Sequence, residues 1–366
     1  MPPLSNRAIR YARAWVTSPG DVAEDEIQIE RGGLSIPATL VRPRRLREPL
    51  PSLVIMHGIT RPGRAHRQLV RFTRAVASAG VATIVPEVPE WRELRLAPHL
   101  STPTIAAAIE GLRQTGVARD ERVGVVGFSF GAPHAIAACG SPELRDRVAG
   151  ACGFGGYCSI ETSLRFMMTG RHEWQGTQHR LAPDPYGRWI VAANYLTAIP
   201  EHHDAGDVTE ALRRLAARAG DVGAPSWDPL YDDTIRGLRA GIEESRRWLF
   251  DAFATVSGEP AELEPDQASR LAHAMAEAAR RTDPLIDPGP RLSAVQCPVH
   301  VLHGRDDQLI PFTESLRLRD AIARAPVRLT VTRLFGHSGH GVFPFARAFR
   351  EIPLFARALD AILSIV

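Results

Sequence analysis

Residues 122–138 decide the fold, and they read Arg-Val-Gly-Val-Val-Gly-Phe-Ser-Phe-Gly-Ala-Pro-His-Ala-Ile-Ala-Ala. Residues 123–128 are apolar and rich in valine, which is typical of a buried parallel strand. Residues 133–138 are small and apolar and favour a helix that packs on a sheet. Between them, Gly127 to Gly131 form the pattern G-x-S-x-G, whose glycines suit a tight strand-to-helix turn because they lack a Cβ. The pattern therefore predicts that Ser129 is raised above the edge of a sheet, where its hydroxyl is a candidate nucleophile.

Strands and helices alternate on both sides of this turn. The predicted strands are residues 53–56, 81–85, 123–128, 148–154, 299–302 and 328–332. The predicted helices are residues 66–79, 104–112, 133–138, 313–325 and 345–365. A predicted hairpin, residues 26–29 and 34–41, precedes them. This alternation predicts a mostly parallel sheet flanked by helices on both faces.

The alternation stops at about Gly155 and returns at Val299. Residues 157–290 carry amphipathic segments separated by proline and glycine clusters, and they are far too many for a connecting loop. We therefore expect a helical cap at 157–290, inserted between two parts of the core at 1–156 and 291–366. The cap is expected to cover Ser129 and to set substrate choice, with Phe166 and Met167 in the pocket wall. Four tryptophans, Trp174, Trp189, Trp227 and Trp248, either line that pocket or, as is more common, form the core of the cap itself.

Composition excludes several classes of function. The chain has 366 residues, of which 44% are hydrophobic and 23% charged, with a net charge of +3. These are ordinary globular values, and the charge is too small to indicate nucleic acid or an anionic membrane as a partner. No apolar run reaches the length of a signal peptide core or a membrane span. Four cysteines without a C-x-x-C pair indicate reduced core residues. A cytoplasmic protein is expected, and a homo-oligomer stays open.

No cofactor or metal is expected from the sequence. His202, His203 and Asp204 are adjacent, but no second cluster at ligand spacing accompanies them, so a solvated loop is the better interpretation. Residues 153–156 are rich in glycine but lack the lysine of a phosphate-binding loop.

Three polar segments follow predicted strands of the core. Ser129 follows strand 123–128, residues 303–311 follow strand 299–302, and residues 335–341 follow strand 328–332. In open α/β sheets the crevice beyond the carboxyl ends of the strands is where ligands bind. The order along the chain is serine, then aspartate, then histidine.

At this point the sequence resembles the α/β-hydrolase superfamily, over about residues 26–154 and 297–366. The resemblance rests on the elbow around Ser129, on His57-Gly58 after a strand, and on the match of Gly304 to Pro311 with the pattern G-x-x-D-x-x-x-P. It implies the α/β-hydrolase fold with an inserted cap.

The resemblance also implies site roles. Ser129 would be the nucleophile and Asp307 the acid, with Asp306 as the fallback. His337 would be the base, and His340, in a similar glycine setting, is the alternative. The oxyanion would be bound by the backbone N–H groups of Phe130 and Ile59, with Thr60 also possible; His57 would orient that loop rather than react.

The expected function is a serine hydrolase that cleaves a carboxylic ester or a related small acyl compound through an acyl-enzyme. Thioesterases, amidases, peptidases and acyltransferases share the same triad. A serine in the elbow argues against the dehalogenase and epoxide-hydrolase branches, which use aspartate there. A protein of this fold that binds a small molecule without catalysis is the alternative from a different class.

Overall fold

The computed structural model describes residues 5–17, 21–45, 49–259, 263–334 and 345–365. The strands are β1 (Val22–Arg31), β2 (Leu34–Pro43), β3 (Ser52–Met56), β4 (Ala82–Pro86), β5 (Val123–Phe128), β6 (Val148–Phe154), β7 (Arg171–Trp174), β8 (Thr177–Arg180), β9 (Val299–Gly304) and β10 (Val327–Thr332). The α-helices are α1 (Asn6–Val16), α2 (Arg67–Ser78), α3 (Pro89–Arg92), α4 (Ser101–Gln114), α5 (Gly131–Ala138), α6 (Ile160–Thr169), α7 (Pro185–Tyr195), α8 (Gly206–Val222), α9 (Asp232–Ala240), α10 (Arg247–Asp251), α11 (Pro265–Thr282), α12 (Gly289–Leu292), α13 (Thr313–Ala321) and α14 (Phe345–Leu363).

Eight of these strands form one sheet in the order β1-β2-β4-β3-β5-β6-β9-β10. The pairs β1–β2 and β2–β4 are antiparallel, and the remaining pairs are parallel. The hairpin β1–β2 turns at Gly32 and Gly33, whose φ angles of 57° and 82° suit glycine because a Cβ disfavours them. The predicted fold class, a mostly parallel sheet flanked by helices, is confirmed.

Helices cover both faces of the sheet. On one face, α1, α2 and α14 bury a cluster that includes Tyr11, Phe72 and Leu359 over β3. On the other face, α4 and α5 belong to the larger core cluster, which includes Ile105 and Ile136. Sequence patterning does not predict α1, because its only buried residues are Ala8, Tyr11 and Ala14. No helix in the described ranges combines the length and the apolar composition needed to cross a bilayer.

The chain between β6 and β9 is mostly helical, and it also contains a hairpin. Strands β7 and β8 pair antiparallel around Gln175 and Gly176, both at positive φ. The insert, which the sequence predicts to be helical, thus contains one short β-hairpin. The hairpin depends on tertiary contacts that local patterning does not reveal, since the His172 ring packs edge-to-face on Phe312 and its Nδ1 lies 3.1 Å from the Thr313 hydroxyl.

Candidate active site

Ser129 lies in a strained turn at the carboxyl end of β5. Its φ is +52°, which places a residue with a Cβ in the left-handed region at a cost of about 1–2 kcal/mol. The turn is fixed by two backbone hydrogen bonds: the Ser129 N–H donates to Phe154 O at 2.8 Å, and the Ser129 carbonyl accepts from the Ala132 N–H at 3.0 Å. Strain of this kind persists where the surroundings over-determine the backbone, as at functional sites.

Three glycines let the backbone segments around Ser129 approach closely. A Cβ on Gly127 would fall within 3.0 Å of Gly131 O, and a Cβ on Gly131 within 3.0 Å of His57 O. A Cβ on Gly58 would lie 3.0 Å from the Ser129 Cβ and 3.5 Å from its Oγ. The glycines of G-x-S-x-G are therefore required by packing as well as by the turn, and they bring the end of β3 against the start of α5.

Two backbone amides flank the serine. Phe130 begins the helical backbone of α5 with φ −52° and ψ −40°, so its N–H is one of the amides at a helix start that has no partner within the helix. Ile59 follows Gly58, whose Cα lies against Ser129. Among the described residues, no main-chain carbonyl accepts from the N–H of Ile59 or Phe130.

His57 is buried below this loop. Its side chain is 1% exposed, with Nδ1 2.7 Å from Gly58 O and Nε2 3.1 Å from the Val88 N–H. Because the amide of Val88 must donate, Nε2 accepts and Nδ1 carries the proton that Gly58 O accepts. The Glu87 carboxylate, also buried, lies 3.1 Å from Nε2. The hydrogen bonds of His57 with Gly58 and Val88 connect the ends of β3 and β4, whereas the Glu87 oxygen beside Nε2 accepts no hydrogen bond from the ring in this tautomer. Sequence reasoning missed Glu87, which follows a buried strand without any distinguishing motif.

The two candidate acids after β9 differ sharply in environment. Asp307 is 1% exposed, and its Oδ1 accepts from the N–H groups of Leu309 at 3.0 Å and Ile310 at 3.1 Å. Its Oδ2 lies 3.5 Å from Nε2 of the buried His303. Asp306 is exposed and pairs with Arg333 at 3.1 Å. Backbone donors favour the ionised form of a carboxylate, so Asp307 is the better candidate to orient a histidine.

Both candidate bases, His337 and His340, lie outside the described residues. The described residues break off at Leu334, just after β10, and resume at Phe345; β10 pairs with β9 in parallel. At the carboxyl ends of these two strands, the N–H of Arg305, in the loop that carries Asp307, donates to Thr332 O at 2.8 Å.

The insert contacts the loops at the same edge of the sheet. The Asp184 N–H donates to Gln308 O at 2.8 Å, in the loop after β9. Asn194 bonds with the loop after β4, and Asp221 pairs at 3.0 Å with Arg61 in the loop after β3. The insert therefore touches three loops at the carboxyl edge that also carries Ser129.

The tryptophans of the insert divide between core and surface. Trp189 is buried and donates from its indole to Phe253 O at 2.9 Å. Trp227 and Trp248 are 44% and 50% exposed, and Trp174 lies under the Arg317 guanidinium. Only Trp189 clearly belongs to the core of the insert. The part of the chain that the structure describes contains no group of three histidine, cysteine or acidic side chains arranged to hold a metal ion.

The fold and the elbow define a class of protein. An eight-stranded, mostly parallel sheet with a strained serine after its central strand is the architecture of the α/β-hydrolase fold, and this chain has that fold. A search of family models finds no match.

Particular relatives are distant. A 143-residue segment is 34% identical to the 2-hydroxymuconate semialdehyde hydrolase of Pseudomonas sp. (strain CF600), covering 36% of this chain and 48% of that protein. A solved acylaminoacyl peptidase in complex with Z-Gly-Gly-Phe-chloromethyl ketone superposes with a TM-score of 0.52 at 15% identity, over 92% of this chain and 41% of the peptidase. Est1E from Butyrivibrio proteoclasticus gives a TM-score of 0.46 at 13% identity, over 92% of this chain and 97% of Est1E. The matches thus span less than half of the first two proteins.

Proposed function

We propose that this protein is a serine hydrolase that cleaves a carboxylic ester or a related acyl compound through an acyl-enzyme. The observation that carries the proposal is the φ of +52° at Ser129, in a turn packed by glycines against the end of β3. A serine held in this conformation beside two backbone amides supports a role as nucleophile better than a role in packing.

In the proposed mechanism, Ser129 Oγ attacks the acyl carbonyl while a histidine accepts its proton. That histidine is His337, with His340 as the alternative. Asp307 holds the imidazole in the tautomer that accepts from Ser129 and supports its positive charge. The imidazolium then protonates the leaving alcohol, and water, activated by the same histidine, hydrolyses the acyl-enzyme.

The tetrahedral oxyanion is assigned to the N–H groups of Ile59 and Phe130. Removing one such donor in an enzyme of this kind typically lowers turnover by about 10²–10³-fold. His57 and Glu87 keep the Ile59 loop in register with the elbow. Residues 157–290 act as a cap that excludes water and supplies walls to the acyl pocket. A cytoplasmic location accords with four cysteines that are all free and buried.

A second candidate follows from the sequence match to the 2-hydroxymuconate semialdehyde hydrolase. The matched segment is 34% identical, so hydrolysis of 2-hydroxymuconate semialdehyde by the same serine is a reaction worth measuring beside ester cleavage.

A substrate screen tests the proposal. Purified protein is assayed with p-nitrophenyl esters of short and long acids, thioesters, aminoacyl amides and 2-hydroxymuconate semialdehyde. We expect turnover of an acyl compound that Ser129→Ala abolishes. Ser141→Ala is the matched control, because Ser141 follows the far end of α5 and its buried hydroxyl has no hydrogen-bond partner among the described residues. Activity that survives Ser129→Ala, or no turnover of any substrate, would contradict the proposal.

The choice of base is tested in the same assay. His337→Ala should abolish acylation, while His340→Ala should retain substantial activity. The reverse result would assign the base to His340.

A further inference from the structure

Helix α5, which follows Ser129, carries one polar side chain among small and apolar residues. That residue is His134, and its side chain is fully buried. Its Nδ1 lies 3.0 Å from Nη2 of Arg291, and its Nε2 lies 2.8 Å from the hydroxyl of Tyr157. The Tyr157 hydroxyl in turn donates to Ile286 O at 2.6 Å. His134 is therefore the middle of a chain of hydrogen bonds.

The chemistry of its members fixes the direction of every hydrogen bond in this chain. A guanidinium only donates, so Nδ1 of His134 accepts from Arg291 and carries no proton. A carbonyl only accepts, so the hydrogen of the Tyr157 hydroxyl is directed at Ile286 O, and the hydroxyl oxygen accepts from the Nε2–H of His134. His134 is thus a neutral imidazole in a single tautomer. Burial and the charge of Arg291 keep it neutral, since both hold the pKa of His134 well below its ordinary value.

The chain connects α5 with both ends of the insert. Tyr157 is the first residue of the insert, and Ile286 lies near its other end. Arg291, just after the insert, also donates to Leu285 O at 3.1 Å. Both nitrogens of His134 and the hydroxyl of Tyr157 are satisfied by these bonds. Because a buried polar group that loses its partner is destabilising, the chain holds α5 and the two ends of the insert in one arrangement.

The ring of His134 also packs against Phe130, which lies one helical turn earlier. The two ring centroids are 4.6 Å apart, and the Tyr157 ring stacks on Phe130 at 6.2 Å. Phe130 further packs edge-to-face on Trp91 at 5.3 Å, and Trp91 packs in the same way on His57 at 5.5 Å. Phe130 is 7% exposed, so rings enclose the side chain of the residue whose N–H is assigned to the oxyanion.

We propose that His134 is a positioning residue that acts through Phe130 and keeps the Phe130 N–H directed at the oxyanion. This inference rests on the proposed function for the role of that amide. Oxyanion donors stabilise a transition state when they are held in place before the reaction, because no reorganisation is then needed as the charge develops. His134 itself transfers no proton to substrate, since protein groups occupy both of its nitrogens. Sequence reasoning missed His134; its one signal was a histidine within a small apolar helix.

The test measures kcat and KM separately on the best ester from the substrate screen. His134→Leu keeps a buried side chain but removes the hydrogen-bonded chain. We expect kcat to fall by about 10²-fold, the effect of a displacement of about 1 Å at a reacting centre. KM should stay near the wild-type value, because the oxyanion forms only in the transition state. A boronic acid whose tetrahedral adduct with Ser129 places an oxygen in the oxyanion site should bind more weakly by the same factor as kcat falls.

Three further variants identify the cause of the loss. His134→Gln retains one acceptor and one donor and should recover most of the lost kcat. Tyr157→Phe removes only the hydroxyl and should lower kcat less than His134→Leu does; it keeps the inference testable if His134→Leu does not fold. Cys139→Ala is the matched control, because Cys139 is buried at the other end of α5, where its Sγ donates to Ala135 O at 3.1 Å. Cys139→Ala should lower the melting temperature and leave kcat unchanged.

A spectroscopic measurement separates this inference from the proposed function, because it does not depend on turnover. Protein with isotopically labelled phenylalanine gives amide resonances in a nitrogen–proton correlation spectrum, and Phe130→Leu identifies the one from Phe130. We expect this resonance to shift in His134→Leu, to return towards its wild-type position in His134→Gln and to stay in place in Cys139→Ala.

The possible results distinguish the two claims. If folded His134→Leu keeps the wild-type kcat, or if folded His134→Gln is as impaired as His134→Leu, the inference is overturned and the hydrolase proposal stands. A Phe130 resonance that depends on His134, in a protein that cleaves no ester, would refute the hydrolase proposal and retain the positioning of Phe130 by His134.

Discussion

Replacing Gly131 by alanine should damage stability and activity together. The new Cβ would fall within 3.0 Å of His57 O and about 3.2 Å from Met56 O, so the end of β3 and the start of α5 must separate by several tenths of an ångström. Overpacking of this kind typically costs about 1–3 kcal/mol. The same movement displaces Ile59 from Ser129, and a displacement of about 1 Å at a reacting centre lowers rates by about 10²-fold.

The assay measures thermal unfolding by circular dichroism and kcat/KM on the best ester from the screen. Gly237→Ala is the matched control, because Gly237 lies in the exposed middle of α9 and an added Cβ meets no atom within 4 Å among the described residues. That variant should gain up to about 1 kcal/mol, since alanine favours a helix over glycine. A Gly131→Ala protein with wild-type stability and activity would refute the close approach of β3 and the elbow.

Three other perturbations have distinct expected outcomes. Asp307→Asn should lower turnover by about 10⁴-fold because it favours the wrong histidine tautomer. Asp306 is exposed, so Asp306→Asn should leave turnover nearly unchanged. Steady-state kinetics of the two variants measures this difference. Burial holds the pKa of His134 well below 6.5. Urea unfolding should therefore show stability falling as pH drops below 6.5, by up to about 1.4 kcal/mol per unit, because the unfolded chain binds a proton that the folded one excludes; His134→Gln should flatten this slope. Met167→Ala should shift the relative kcat/KM toward longer acyl chains by more than threefold, and an unchanged profile across the ester series would remove Met167 from the pocket wall.

Local sequence patterns predicted the core of the fold because a few consecutive residues are enough to identify each of its strands and turns. The valine run of β5 and the glycines around Ser129 specify a strand and a turn regardless of what lies elsewhere in the chain. Helix α1 and the β7–β8 hairpin were not predicted because contacts with distant parts of the chain stabilise them. Tyr11 of α1, for example, packs edge-to-face on Phe72, at a centroid distance of 5.9 Å.

The candidate site was only partly accessible to sequence reasoning. A motif identifies the acid loop, but the burial of Asp307 and the exposure of Asp306 depend on how the turn after β9 folds back on Ile310. The roles of His337 and His340 remain predictions.

Mapping the covalent adduct of a fluorophosphonate tests the nucleophile most directly. Intact-mass spectrometry followed by peptide sequencing should find one equivalent of adduct, on Ser129, formed in step with the loss of esterase activity. Ser129→Ala should take up no adduct. An adduct on another residue, with activity retained in Ser129→Ala, would contradict the assignment of Ser129 as the catalytic serine.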